Sequence, residues 1–232
     1  SGRFNSIDPL WEKYYSWTPY HYCGNDPVNF IDRGGDSTYS VIWATANGEI
    51  GHAGIAFDNY NSSGSPDGTV SYYDLWPGES VTMLNFDEDV PGVYIDIATY
   101  SKKDLFNKDI TGEEGRSPDG IIAIVTSMSD EKNIKNKLLE SSKDEKGNLK
   151  MKQYNGVGWN CSTYIQSGLQ SIYGENWGAY EYIELSLGLS SVKILSVTPN
   201  ALFNKVRDMK NTFVRKNPGN KVNNSFVNGA KQ

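Results

Sequence analysis

The chain has 232 residues, enough for one substantial domain with extensions. Its 38% apolar and 12% aromatic content can build a core, which excludes wholesale disorder. A net charge of −6 argues against a nucleic-acid binder, and no apolar run is long enough to span a membrane.

Residues 1–36 are dense in Pro, Gly, Asn, Asp and aromatic side chains, and read as successive turns rather than a domain. They contain Gly2-Arg3-Phe4 with Asp8-Pro9-Leu10, then Tyr14-Tyr15-Ser16-Trp17-Thr18-Pro19-Tyr20, then Asn25-Asp26-Pro27 and Asp32-Arg33-Gly34. This segment resembles the end of the RHS repeat-associated core domain. It departs from that pattern in having Asn25-Asp26-Pro27 for Asn-Asn-Pro. It also has Asp32-Arg33-Gly34 where such proteins carry the Asp-Pro-x-Gly at which they release their C-terminal part. The resemblance implies that 1–36 is the remnant of a core shell and that the residues beyond it form an effector, commonly a toxin. It also implies that a long parent chain delivers the effector into a target cell by contact-dependent secretion, and that a separately encoded cognate immunity protein protects the producer. No N-terminal signal peptide is visible, and the opening reads as a piece of a longer chain.

From residue 37 the composition turns globular. Ser40–Ala46, Ala53–Asp58, Thr69–Leu75, Val93–Ala98 and Ile121–Thr126 are short runs rich in strand-forming residues, separated by Gly, Asn, Ser and Pro turns. Ser129, with Asp130 and Glu131 in the first turn, predicts a helix that turns Ile134, Leu138 and Leu139 to one face. Lys143–Asn148 reads as a polar loop, and the charges over 130–150 as a solvated face. Cys161 to Tyr173 predicts a second helix with Tyr164, Ile165, Leu169 and Ile172 in its apolar stripe. Thr198-Pro199 predicts a third, with Thr as cap and Pro in the first position. The expected domain is 37–213, followed by a polar flexible tail over 214–232.

Two segments carry chemistry. Asn160 is a cap residue, so Cys161 falls in the first turn of its helix, where backbone amides stabilise a thiolate and an oxyanion. His52 opens an apolar strand after Gly51, a rigid place for a base with room beside it for substrate. A third group must accept from the other ring nitrogen, and Asp74 on the following strand is the expected one, with Asp58 and Tyr73 as rivals. His21 and Cys23, inside the turn-rich segment, are assigned no chemistry, and the two cysteines do not make a disulfide framework.

His52-Ala53-Gly54-Ile55 and Asn160-Cys161-Ser162-Thr163-Tyr164-Ile165 resemble the His and Cys motifs of circularly permuted papain-like hydrolases of the NlpC type. The resemblance implies an α+β fold whose nucleophile helix packs on an antiparallel sheet, and cysteine-dependent hydrolysis of an amide in a protein or a peptidoglycan peptide. Lipid ester hydrolysis or acyl transfer is the neighbouring alternative, since permuted relatives act on lipids. A toxin that only binds its target, with Cys161 structural, is the reading from another class, and a nuclease is a third. No cofactor, metal site, nucleic-acid partner or membrane insertion is expected: the spacing of His and Cys does not make a zinc site, and no phosphate-binding glycine loop is present.

Overall fold

A computed structural model describes residues 38–45, 51–79, 81, 87–90, 93–107, 116–141, 154–187, 190–209 and 212–215. All of them lie within Asp36–Gln232, the second of the two units into which the chain divides. The turn-rich segment with His21 and Cys23, the Lys143–Asn148 loop and the tail beyond Arg215 fall outside the described residues.

The architecture is mixed α and β. Strands β1 (Thr38–Trp43), β2 (His52–Tyr60), β3 (Pro66–Pro77), β4 (Val93–Ser101), β5 (Gly120–Ile124) and β8 (Thr212–Arg215) form one sheet in the order β4-β3-β2-β1-β5-β8, and every neighbouring pair is antiparallel. Helices α2 (Met128–Ser141), α3 (Cys161–Tyr173) and α4 (Pro199–Arg207) supply the apolar faces that meet this sheet's core, while α1 (Lys102–Asn107) lies against β3 and β4. A separate hairpin pairs β6 (Glu181–Leu187) with β7 (Ser190–Ser196).

Alternation along the strands divides the sheet into two faces. Ile42, Ala53, Ile55, Phe57, Tyr73, Leu75, Ile122 and Ile124 point to one of them. They pack with Ile134 and Leu138 of α2, Tyr164, Ile165 and Leu169 of α3, and Leu202, Phe203 and Val206 of α4. Burying each such aliphatic side chain contributes roughly 1.5–3 kcal/mol, so this shared core is what clamps α3 to the sheet. Positions on the other face include Trp43, His52, Gly54, Tyr72, Asp74 and Trp76, by the register Trp43↔His52, Gly54↔Asp74 and Ala56↔Tyr72.

Several expectations shift in detail. The cap of α2 is Ser127 rather than Ser129: its hydroxyl accepts from Asp130 N–H at 3.1 Å, and its own N–H donates to Asp130 Oδ2 at 3.0 Å. A serine stands at both positions, and only Ser127 has an acidic residue three places on. The charged face of α2 is not fully solvated, because Glu131 is buried and paired with Lys135 at 3.7 Å. The sheet also runs two residues past the expected boundary at 213, since Val214 and Arg215 pair with Ile122 and Ile121.

Candidate active site

Helix α3 begins with a reciprocal cap. The Asn160 side chain accepts from Thr163 N–H at 2.9 Å, and the Asn160 N–H donates to Thr163 Oγ1 at 2.7 Å. The Asn160 amide also donates to the carbonyls of Gly156 (2.8 Å) and Val197 (3.1 Å), which ties the helix start to the loop before it and to the approach of α4. These bonds use the third helical N–H and fix Cys161 at the first helical position. The N–H groups of Cys161 and Ser162 stay outside the capping bonds and point along the positive end of the helix.

His52 owes its place to the residue before it. Gly51 has φ of 74°, and a Cβ there would lie 2.6 Å from the Trp43 carbonyl oxygen. Only glycine makes that turn into β2. The returning chain is braced from α4, where Asn200 Oδ1 accepts from Thr45 N–H at 3.0 Å.

The imidazole is held on three sides. Its Nε2–H donates to Asp74 Oδ2 at 3.1 Å, the Trp76 indole stacks on it at 3.9 Å with an interplanar angle of 18°, and Trp43 lies at 5.7 Å, tilted by 48°. Trp76 Nε1–H donates to the same Asp74 oxygen at 2.7 Å. One indole therefore orients both ring and carboxylate. Gly54, directly opposite Asp74, makes the room: a Cβ there would sit 2.1 Å from the Tyr72 hydroxyl, which packs beside the carboxylate.

With Nε2 engaged by Asp74, Nδ1 is the ring atom left for the sulfur. The imidazole and the Cys161 sulfur lie close enough for each to act on the other's charge, and the Ala53 N–H approaches the sulfur at the start of β2. Ser162 Oγ lies 3.9 Å from Sγ and the Tyr154 hydroxyl 4.0 Å. His52, Asp74 and Cys161 are 3%, 0% and 3% exposed, so these interactions operate in a medium of low dielectric. Burial by itself favours a neutral imidazole, but the adjoining thiolate and the Asp74 bond outweigh it and push His52 up to about 10. Burial likewise favours the thiol, yet the imidazolium charge and the bonds to His52, Ala53 and Ser162 bring Cys161 below its ordinary value. Both shifts describe one state, a thiolate–imidazolium pair. Cys161 is a free thiol.

Cys161 lines a cleft of about 90 Å³. Gly51, Tyr154, Cys161, Glu181, Val197 and Thr198 are among its described lining residues.

The expected Cys161, His52 and Asp74 thus come together. The rivals do not: Asp58 is committed to Lys102 at 3.0 Å and to the Tyr39 hydroxyl at 2.9 Å, and Tyr73 points to the opposite face of the sheet. Sequence reasoning missed Trp76 as the clamp. Its signal was the two-residue spacing from Asp74, which puts indole and carboxylate on one face of a strand.

No protein-family profile, no curated protein and no solved structure matches this chain.

Proposed function

We propose that the domain from residue 37 is a cysteine hydrolase and the toxin part of an RHS-type effector. Its fold class would be papain-like, in the permuted NlpC-type order in which the histidine strand precedes the cysteine helix. The observation that carries this reading is the buried Cys161–His52–Asp74 constellation, with Cys161 lining a cleft.

The chemistry follows from the roles. The Cys161 thiolate attacks the carbonyl carbon of an amide, and the electron pair moves onto the carbonyl oxygen. The spare N–H of Cys161 and the Tyr154 hydroxyl, both beside the sulfur, stabilise that oxyanion. As the tetrahedral species collapses, the C–N bond breaks, and the imidazolium gives its Nδ1 proton to the leaving amine. Neutral His52 then takes a proton from water, hydroxide adds to the thioester, and the acid departs with the thiolate restored. Asp74 keeps Nε2 protonated and the ring in register throughout.

The favoured substrates are a protein or a peptidoglycan peptide of a target cell reached by contact-dependent secretion, with a cognate immunity protein covering the cleft in the producer. The test is mass spectrometry of peptidoglycan and proteins from cells expressing the domain or its Cys161→Ala variant. New amide cleavages present only with the wild type support the reading. Equal toxicity of the two forms rejects it, and deacylated lipids in place of cleaved amides move the reaction to esters.

A further inference from the structure

The geometry points to a cation-binding subsite at Glu181, so that the preferred substrate carries an ammonium or guanidinium group beside the bond that Cys161 attacks. This inference rests on the hydrolase reading and gives it a substrate class. Glu181 is the first residue of β6, and it lines the same small cleft as Cys161. The Thr198 hydroxyl donates to its Oε1 and accepts from Ala201 N–H at 3.1 Å, so the carboxylate is pinned through the cap of α4. Its second oxygen takes part in no hydrogen bond or ion pair among the described residues.

The surroundings make that oxygen informative. Residue 181 is only partly exposed, and the described lining of the cleft contains no Lys, Arg or His. Glu184 also borders the cleft and accepts from the Ser191 hydroxyl, but it is exposed, so solvent screens its charge more than that of Glu181. The described lining therefore carries two carboxylates and no cation, and Glu181 is the one held at the cleft wall through the cap of α4. A charged N–H donor on the substrate satisfies it, whereas an acidic substituent meets repulsion in a partly desolvated site.

The test uses methanethiosulfonates, which convert a thiolate to a mixed disulfide and release methanesulfinate. Full-length protein is treated with the neutral methyl, cationic aminoethyl, cationic guanidinoethyl and anionic sulfonatoethyl reagents, and modification is read on the Cys161 peptide by mass. Rates are normalised to the same reagents on a free thiol. Cys161 is expected to favour the cationic over the anionic reagent by about threefold to fivefold, with the ratio shrinking as salt is raised. Glu181→Gln keeps an oxygen for Thr198 and lowers the ratio toward one, and Glu181→Lys lowers it further. The aminoethyl and guanidinoethyl arms tell which cation is preferred. A wild-type ratio near one, or one that survives both salt and Glu181→Gln, overturns the subsite. Slow reaction of wild-type Cys161 with the neutral reagent counts against the nucleophile instead, and the charge ratio is still read from whatever rate remains.

Discussion

Replacing Asp74 by Asn removes one charge from a fully buried position and little else. In the wild type a single carboxylate oxygen, Oδ2, receives both the His52 Nε2–H at 3.1 Å and the Trp76 Nε1–H at 2.7 Å. The amide oxygen of Asn can take over both bonds, and its NH2 then occupies the place of Oδ1, which is buried and has no hydrogen-bond partner. The ring keeps its neighbours while the imidazolium loses its counter-charge. A hydrogen bond to a charged group contributes about 1.5–3 kcal/mol, against about 1 kcal/mol for a neutral one. The difference, about 0.5–2 kcal/mol, shifts the balance from thiolate–imidazolium toward thiol–imidazole by roughly 2- to 30-fold. The assay is the second-order rate of Cys161 alkylation by iodoacetamide between about pH 5 and pH 10, followed on the Cys161 peptide. The sign is fixed by the shifts. A lowered Cys161 pKa means that wild-type reactivity persists at pH values where an ordinary thiol is protonated, and the raised His52 pKa keeps the imidazolium present up to about 10. Asp74→Asn should lose reactivity at neutral pH and recover it only as pH approaches the ordinary thiol range. A variant whose profile overlays the wild type would refute the role of Asp74 as orienting acid.

Trp76→Phe keeps a ring over His52 but deletes the indole N–H, so it should slow Cys161 alkylation several-fold, about 1 kcal/mol, while Trp76→Ala costs more because the stack goes too. Asn160→Ala breaks the cap of α3 and two further bonds to Gly156 and Val197, and should cost about 1–2 kcal/mol or more, lowering Tm by roughly 2–4 °C per kcal/mol in thermal unfolding. In Gly54→Ala the new methyl drives into the Tyr72 ring and displaces Asp74, so both Tm and alkylation rate should fall, whereas a change at the solvent-facing Met128 leaves both as they are.

How much of this was written in the sequence depends on the range of the interaction. The strands β1 to β5 announce themselves because apolar and β-branched residues alternate or run together between turn residues. Helix α3 is legible because Asn160 and the stripe of Tyr164, Ile165 and Leu169 set its start and its buried face. His52, Cys161 and Asp74 stood out through residue type at element ends. The clamp by Trp76 was hidden because the aromatic residues of 72–76 read equally as core or as the lining of a substrate groove; only the register Gly54↔Asp74 reveals what the indole faces. The β6–β7 hairpin was missed because its exposed Tyr182 and Leu195, paired across the strands, do not alternate like a half-buried strand. Strand β8 follows a polar stretch and is held by pairing with β5, a long-range cause that no local window contains.

The most direct measurement is the thiolate itself, by ultraviolet difference absorbance near 240 nm of wild type against Cys161→Ala, so that Cys23 cancels. The pair described above predicts thiolate absorbance at neutral pH, retained well below the ordinary thiol range, and its loss at neutral pH in His52→Ala. A wild-type difference spectrum without thiolate at neutral pH, or one that His52→Ala leaves unchanged, would contradict it.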